Sequence, residues 1–214
     1  MPIRSLAVLL ALLTVQVATA QFNQKGTVHL SIGIAGGAHN TQTKQTLHIF
    51  GVDLSKTTDS HAATVTFPIQ VGVGLADFFS MGAFLEPGSY LDSSVTHSNS
   101  IVLYGVEPRF YLVNKEHFAW LAGLQLGGST LHITGSQGRD KTDARYSGSA
   151  FGLSTGVVFQ FTDLIGLQLH LRYMAANMPL RQYSVNGNSV SQKDFDAVLH
   201  TNGVALQASL GFRF

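Results

Sequence analysis

Cysteine is absent from this chain of 214 residues, so no disulfide braces it in any compartment. Charge is scarce as well. Lysine, arginine, aspartate and glutamate make up 12% of the residues, roughly half the share of an ordinary globular domain. The 13 basic and 12 acidic side chains nearly cancel, which leaves no electrostatic footprint for a nucleic acid. After the first twenty residues no apolar run approaches the ~20 residues that a membrane-spanning helix needs. Helical membrane proteins, disulfide-stapled secreted domains and nucleic-acid binders are thereby set aside.

What is present begins with a leader. Residues 1–20 carry a single charge at Arg4, a short apolar run from Leu6 to Val17, and the small-x-small ending Ala18-Thr19-Ala20. The pattern predicts a secretory signal cleaved after Ala20, and one mature domain over residues 21–214. No cysteine follows the cleavage point, so a lipid-anchored N-terminus is not expected. An exported chain poor in charge, rich in glycine and lacking apolar helices is what a transmembrane β-barrel looks like in sequence.

The last eleven residues carry the clearest pattern. Val204, Leu206, Ala208, Leu210, Phe212 and Phe214 form one apolar parity, and Ala205, Gln207, Ser209, Gly211 and Arg213 a small or polar one. A strand with one greasy face, in a chain expected to have no globular tail to cover it, calls for lipid as the solvent of that face. Seven further segments alternate in the same way, at about 28–35, 63–75, 79–86, 102–112, 118–127, 151–161 and 165–173. Most reach the roughly 9–11 residues of a tilted membrane strand. The fold class expected is therefore all-β, an eight-stranded antiparallel up-and-down transmembrane barrel. Alternation blurs around Ile101 to Leu103, and Pro68 and Pro108 fall inside strands, where bulges are the expected accommodation.

Connections alternate short and long. Residues 76–78, 113–117 and 162–164 are turns, whereas 36–62, 87–101, 128–150 and 174–202 read as long loops. Short periplasmic turns and long external loops are the asymmetry of outer-membrane barrels, and both termini then lie on the periplasmic side. Phe79, Phe110, Phe118, Trp120, Phe159, Phe161, Phe212 and Phe214 cluster near the inferred periplasmic strand ends, with Tyr104, Phe151 and Tyr173 as the outer girdle. Asn186-Gly187 signals a two-residue hairpin, so strands seven and eight are expected to continue above the membrane as a ribbon whose edge a partner strand can join.

The inward parity gathers glycines, five glutamines (Gln70, Gln125, Gln160, Gln168, Gln207) and the charges Glu86, Glu107, Arg109, His170, Arg172 and Arg213. Eight strands leave room for little beyond their own side chains, and buried charges must pair. Depth and strand number predict two cross-lumen pairs, Glu86 with Arg172 and Glu107 with Arg213, with Arg109 joining the second. A plug of salt bridges and amides is favoured over an ion path. The histidines show no close ligand spacing, so no metal and no cofactor are expected. Thr155 is the one hydroxyl besides tyrosines on the lipid face, and no motif supplies it with a base, so an enzyme is not expected.

With these features in place, the segment Val71-Gly-Val-Gly-Leu-Ala-Asp-Phe-Phe-Ser-Met-Gly-Ala83 and the ending Leu210-Gly-Phe-Arg-Phe214 resemble the small outer-membrane β-barrel domain family, which includes the OmpA membrane domain and OmpX- and Ail-like barrels. The resemblance implies an integral protein of a Gram-negative outer membrane, whose Leu210, Phe212 and Phe214 form the signal for the barrel assembly machinery. Outer-membrane lipid and lipopolysaccharide, and an extracellular protein reached through the loops, are the partners expected. A non-enzymatic surface-interaction role is the leading expectation, with a porin-like transporter of small solutes or a lumen binder of one small ligand as the alternative.

Overall fold

The computed structural model describes residues 21–50, 52–92, 99–137, 140–191 and 195–214. The expected signal, with Ala18 and Ala20, lies outside them. Ten antiparallel strands occur among the described residues: β1 Val28–Ile49, β2 Val52–Thr66, β3 Ile69–Ala76, β4 Phe79–Asp92, β5 Asn99–Asn114, β6 Phe118–Gln137, β7 Asp140–Gln160, β8 Ile165–Val185, β9 Asn188–Ser189 and β10 Phe195–Arg213. They form one ring of eight wall positions. β2 and β3 share a position, divided at Phe67-Pro68, and β9 is a two-residue ladder on the end of β8. β10 closes on β1 in continuous register from Leu47↔Phe195 to His29↔Arg213. Closure leaves no open sheet edge at these levels.

Residues 21–27, Phe214 and the short turns share the near end of the ring; the hairpins of β1–β2, β6–β7 and β8–β9 stand at the far end. At Asn186 and Gly187 φ is 53° and 81°, the left-handed pair that a type I′ hairpin requires.

Most of what alternation assigned to long loops is ladder. β1 and β2 stay paired to Ile49↔Val52, and β6 and β7 to Gln137↔Asp140. The physical reason is an inversion of amphipathicity along each strand. On β8, Leu169, Leu171 and Tyr173 face outward while Gln168, His170 and Arg172 are buried; farther along, Met174, Met178 and Leu180 are buried and Arg181 is exposed. Near the termini the ring is polar inside and apolar outside; farther along the inside turns apolar and the outside mostly polar, apart from the exposed Leu47, Ile49, Phe50, Val52 and Leu54 at the tip of the β1–β2 hairpin. The changeover explains the blur near Ile101 and Leu103: both are buried in the far-end core while Tyr104 faces outward. Rules keyed to an apolar outer face stop where that face becomes polar, although the backbone goes on pairing.

The bulges expected at the prolines are not found there. Thr66↔Gly88 and Ile69↔Leu85 keep one register on either side of Pro68, as do Val106↔Leu126 and Arg109↔Gly123 around Pro108. Each proline interrupts the ladder without adding a residue, and around Pro68 the neighbouring groups stay bonded, Phe67 N–H to the Pro87 carbonyl and Gly33 N–H to the Pro68 carbonyl. The register shifts lie instead at Gly74/Ala76, Tyr111/Val113 and Arg145/Tyr146.

Candidate functional site

The lumen is built in layers. At the near end, residues 21–27 fold back across the mouth. Phe22 is buried against His29, with ring centroids 4.9 Å apart, and against Tyr111. The Asn23 amide donates to the carbonyls of Ala76 (2.7 Å) and Asp77 (3.1 Å), and its oxygen lies 2.9 Å from His29 Nε2. Asn114 donates to the Asn23 carbonyl at 2.7 Å. Sequence reasoning missed this plug. The one available signal was an apolar-amide pair, Phe22-Asn23, ahead of Gly26, whose φ of 91° makes the turn into β1.

Above the plug, Arg109 donates to Glu107 (2.9 Å) and to Gln70 (2.6 Å), both from Nη2. Gln70 in turn donates to Glu107 at 3.2 Å, and the Ser154 hydroxyl does so at the same distance. Arg213 is not part of this network, which corrects the expected Glu107–Arg213 pair. Its Nη1 donates to the Gln21 carbonyl and its Nε to the Asp163 carbonyl, each at 3.1 Å. The returning N-terminal segment brings the Gln21 carbonyl to the rim and the β7–β8 turn brings that of Asp163, and Arg109 is left as the cation of Glu107.

The next layer holds His170, buried on the lumen wall where Gly156 leaves room for its ring. Beyond it, Glu86 on β4 meets Arg172 on β8 across the ring. Arg172 Nη1 and Nη2 reach the two carboxylate oxygens at 2.6 and 2.7 Å, and the Thr66 hydroxyl donates to Oε1 at 2.5 Å. This is a bidentate pair, the strongest geometry a guanidinium offers a carboxylate. Both side chains are 1% exposed. Above them the lumen becomes an apolar core containing Tyr90, Ile101, Leu131, Tyr146, Met178 and Leu199.

Little space remains. One cavity beside Gln70, Glu107 and Arg109 measures about 10 Å³, and one beside Glu86, Tyr90 and Arg172 about 30 Å³. Such volumes hold one or two waters.

The outer face is an apolar belt. Ile32, Leu112, Leu153, Leu171, Leu206 and Leu210 are each half or more exposed. The Trp120 indole donates to Thr155 (3.0 Å), and the Thr155 hydroxyl donates to the Leu121 carbonyl (3.1 Å), so that hydroxyl is hydrogen-bonded both as acceptor and as donor. Leu210 and Phe214 face outward and Phe212 is half-buried, all on the closing strand; Phe214 N–H and C=O both bond Val28 at 2.9 Å.

An up-and-down ring with a filled polar lumen and an apolar belt is the architecture of the small outer-membrane β-barrels. No protein-family model matches the chain, and no curated protein matches it in sequence. Solved structures share its fold. The outer-membrane protein OprG from Pseudomonas aeruginosa superposes with a TM-score of 0.59 at 12% identity, over 90% of this chain and 97% of that one. The outer-membrane protein AlkL, determined in lipid bilayers, gives 0.53 at 11% identity, over 90% and 92%. Ail, the attachment invasion locus protein of Yersinia pestis, gives 0.46 at 12%, over 89% and 100%.

Proposed function

We propose that this chain is a non-enzymatic integral protein of a Gram-negative outer membrane, its barrel an anchor and its far end a surface for contacts outside the cell. The inversion of amphipathicity carries the reading. An apolar outer face over a polar lumen is stable only where acyl chains solvate it, and an apolar core under a polar face only where water does. The ring has both, stacked, so it has its own membrane boundary. Outer-membrane lipid and lipopolysaccharide are the surroundings this implies. Leu210, Phe212 and Phe214, on the strand that closes the ring, suit recognition by the barrel assembly machinery, and the paired far-end ribbons suit an extracellular protein partner.

The conducting alternative has less support. The described lumen is filled with buried side chains, crossed by the Glu107–Arg109–Gln70 network and the Glu86–Arg172 pair, and the cavities beside these measure about 10 and 30 Å³. The membrane reading is tested by refolding the polypeptide without its leader from denaturant, with and without phosphatidylcholine vesicles. Folding only with lipid, into a heat-modifiable form whose barrel resists protease, is the expected result. A monodisperse, folded monomer in plain buffer would overturn it.

A further inference from the structure

The plug at the near mouth begins at Gln21, the residue that cleavage of the expected leader after Ala20 makes the first of the mature chain. The mouth holds that residue at two oxygens. Arg213 Nη1 donates to its backbone carbonyl at 3.1 Å, and Asn114 Nδ2 to its side-chain Oε1 at 3.3 Å. Asn114 also fixes Asn23, accepting from its N–H at 2.9 Å and donating to its carbonyl at 2.7 Å. Phe22, the residue between, is 3% exposed. Gly74 leaves room for the returning segment: a methyl group there would collide with the Gln24 carbonyl.

A free amino terminus fits this seat badly. By covalent geometry the α-nitrogen of Gln21 lies within about 7 Å of the Arg213 guanidinium. Among the described residues no carboxylate pairs with Arg213, whose bonds run to the carbonyls of Gln21 and Asp163. An α-ammonium would add a second positive charge beside an uncompensated one, at a rim where both residues are half-buried.

We propose that Gln21 is converted to pyroglutamate and that the near mouth seats the neutral ring. The α-amine nitrogen attacks Cδ of its own carboxamide. The new N–Cδ bond closes a lactam, the Cδ–Nε2 bond breaks, and Nε2 leaves with one amine proton as ammonia. The reaction is intramolecular and needs no oxidant or co-reactant. It removes the ammonium that the seat disfavours and keeps both oxygens that the seat uses. Oε1 becomes the lactam oxygen that Asn114 reaches, and the backbone carbonyl remains the acceptor of Arg213. Losing the terminal charge is what lets the first residue lie against a cation. The inference rests on cleavage after Ala20 and is independent of what the far end contacts.

The full chain is expressed with its leader in a Gram-negative host, the mature protein is purified from the outer membrane, and its intact mass is measured. The expected mass is that of residues 21–214 less one ammonia, with the first residue blocked to Edman degradation. Gln21→Ser is expected to show the full mass of its own residues 21–214 and an open terminus. Seating is read separately, with pyroglutamyl aminopeptidase. The enzyme is expected to spare the native barrel and to release pyroglutamate once the barrel is unfolded. Asn114→Ala, its folding verified by heat-modifiable migration, is expected to speed release from the folded protein about tenfold, the weight of one hydrogen bond. A mature chain that starts at another residue, or with uncyclised Gln21, overturns the modification. Release from the native barrel as fast as from the unfolded chain, or a rate that Asn114→Ala leaves unchanged, overturns the seat. The membrane-anchor reading stands in either case.

Discussion

Glu86 and Arg172 set the largest single stake in the lumen, because each is 1% exposed and, among the described residues, each is the other's only counter-charge within hydrogen-bond reach. Removing one partner of a buried pair leaves an uncompensated ion, at a cost of about 3–5 kcal/mol, whereas replacing both by apolar groups is close to neutral. Glu86→Ala is therefore expected to lower unfolding stability in lipid vesicles by about that amount, and Glu86→Met with Arg172→Met to recover most of it. Equilibrium urea unfolding measures both. Equal losses in the single and double variants would mean that the pair itself, and not the orphaned charge, carries the energy. Parity and strand depth in the sequence locate both residues on the lumen wall. They do not locate the partner of Arg213, because its acceptors are the carbonyls of Gln21 and Asp163, and a backbone group carries no side-chain signature.

At the scale of the strands, eight near-end segments were legible because lipid imposes a strict period of two on the outer face. The far ends were not. There the outer face is mostly polar, with apolar residues such as Val52, Leu54 and Leu91 scattered through it, which resembles a loop in composition, and the inner face is apolar, which reverses the parity a membrane strand shows. Tyr146 belongs to that far-end core, five residues past Phe151 on β7 and outside the belt. Burial, with Tyr183 beside it, pushes its phenol up from 10.0 to about 12. The folded state disfavours the phenolate, so the contribution is complete below pH 10 and is lost as pH climbs from 10 through about 12. Ultraviolet difference titration of native protein against Tyr146→Phe is expected to reveal a tyrosine that ionises about two pH units late. Ionisation of Tyr146 with the exposed tyrosines would mean that the far-end core is open to water.

At the scale of the whole molecule, four closures stand in series along one axis. Phe22 and Asn23 seal the near mouth, Glu107, Arg109 and Gln70 cross the lumen above them, Glu86 and Arg172 cross it again, and the apolar core around Tyr146 and Met178 caps the far end. Resistances in series add, so the tightest closure governs flow and opening any other changes nothing. In planar bilayers the native protein is accordingly expected to give no discrete conductance steps. Glu86→Met with Arg172→Met is expected to stay equally silent, since it leaves the plug, the Glu107 network and the apolar cap intact. Steps that appear only in this variant would make the Glu86–Arg172 pair the sole barrier, and the remaining layers permeable in a way their packing denies. Steps in the native protein would return the chain to the transporters and remove the anchor-and-surface reading. Silence in both assigns the polar lumen to stability, and leaves the outer wall and the far-end ribbons as the parts of the molecule that meet a partner.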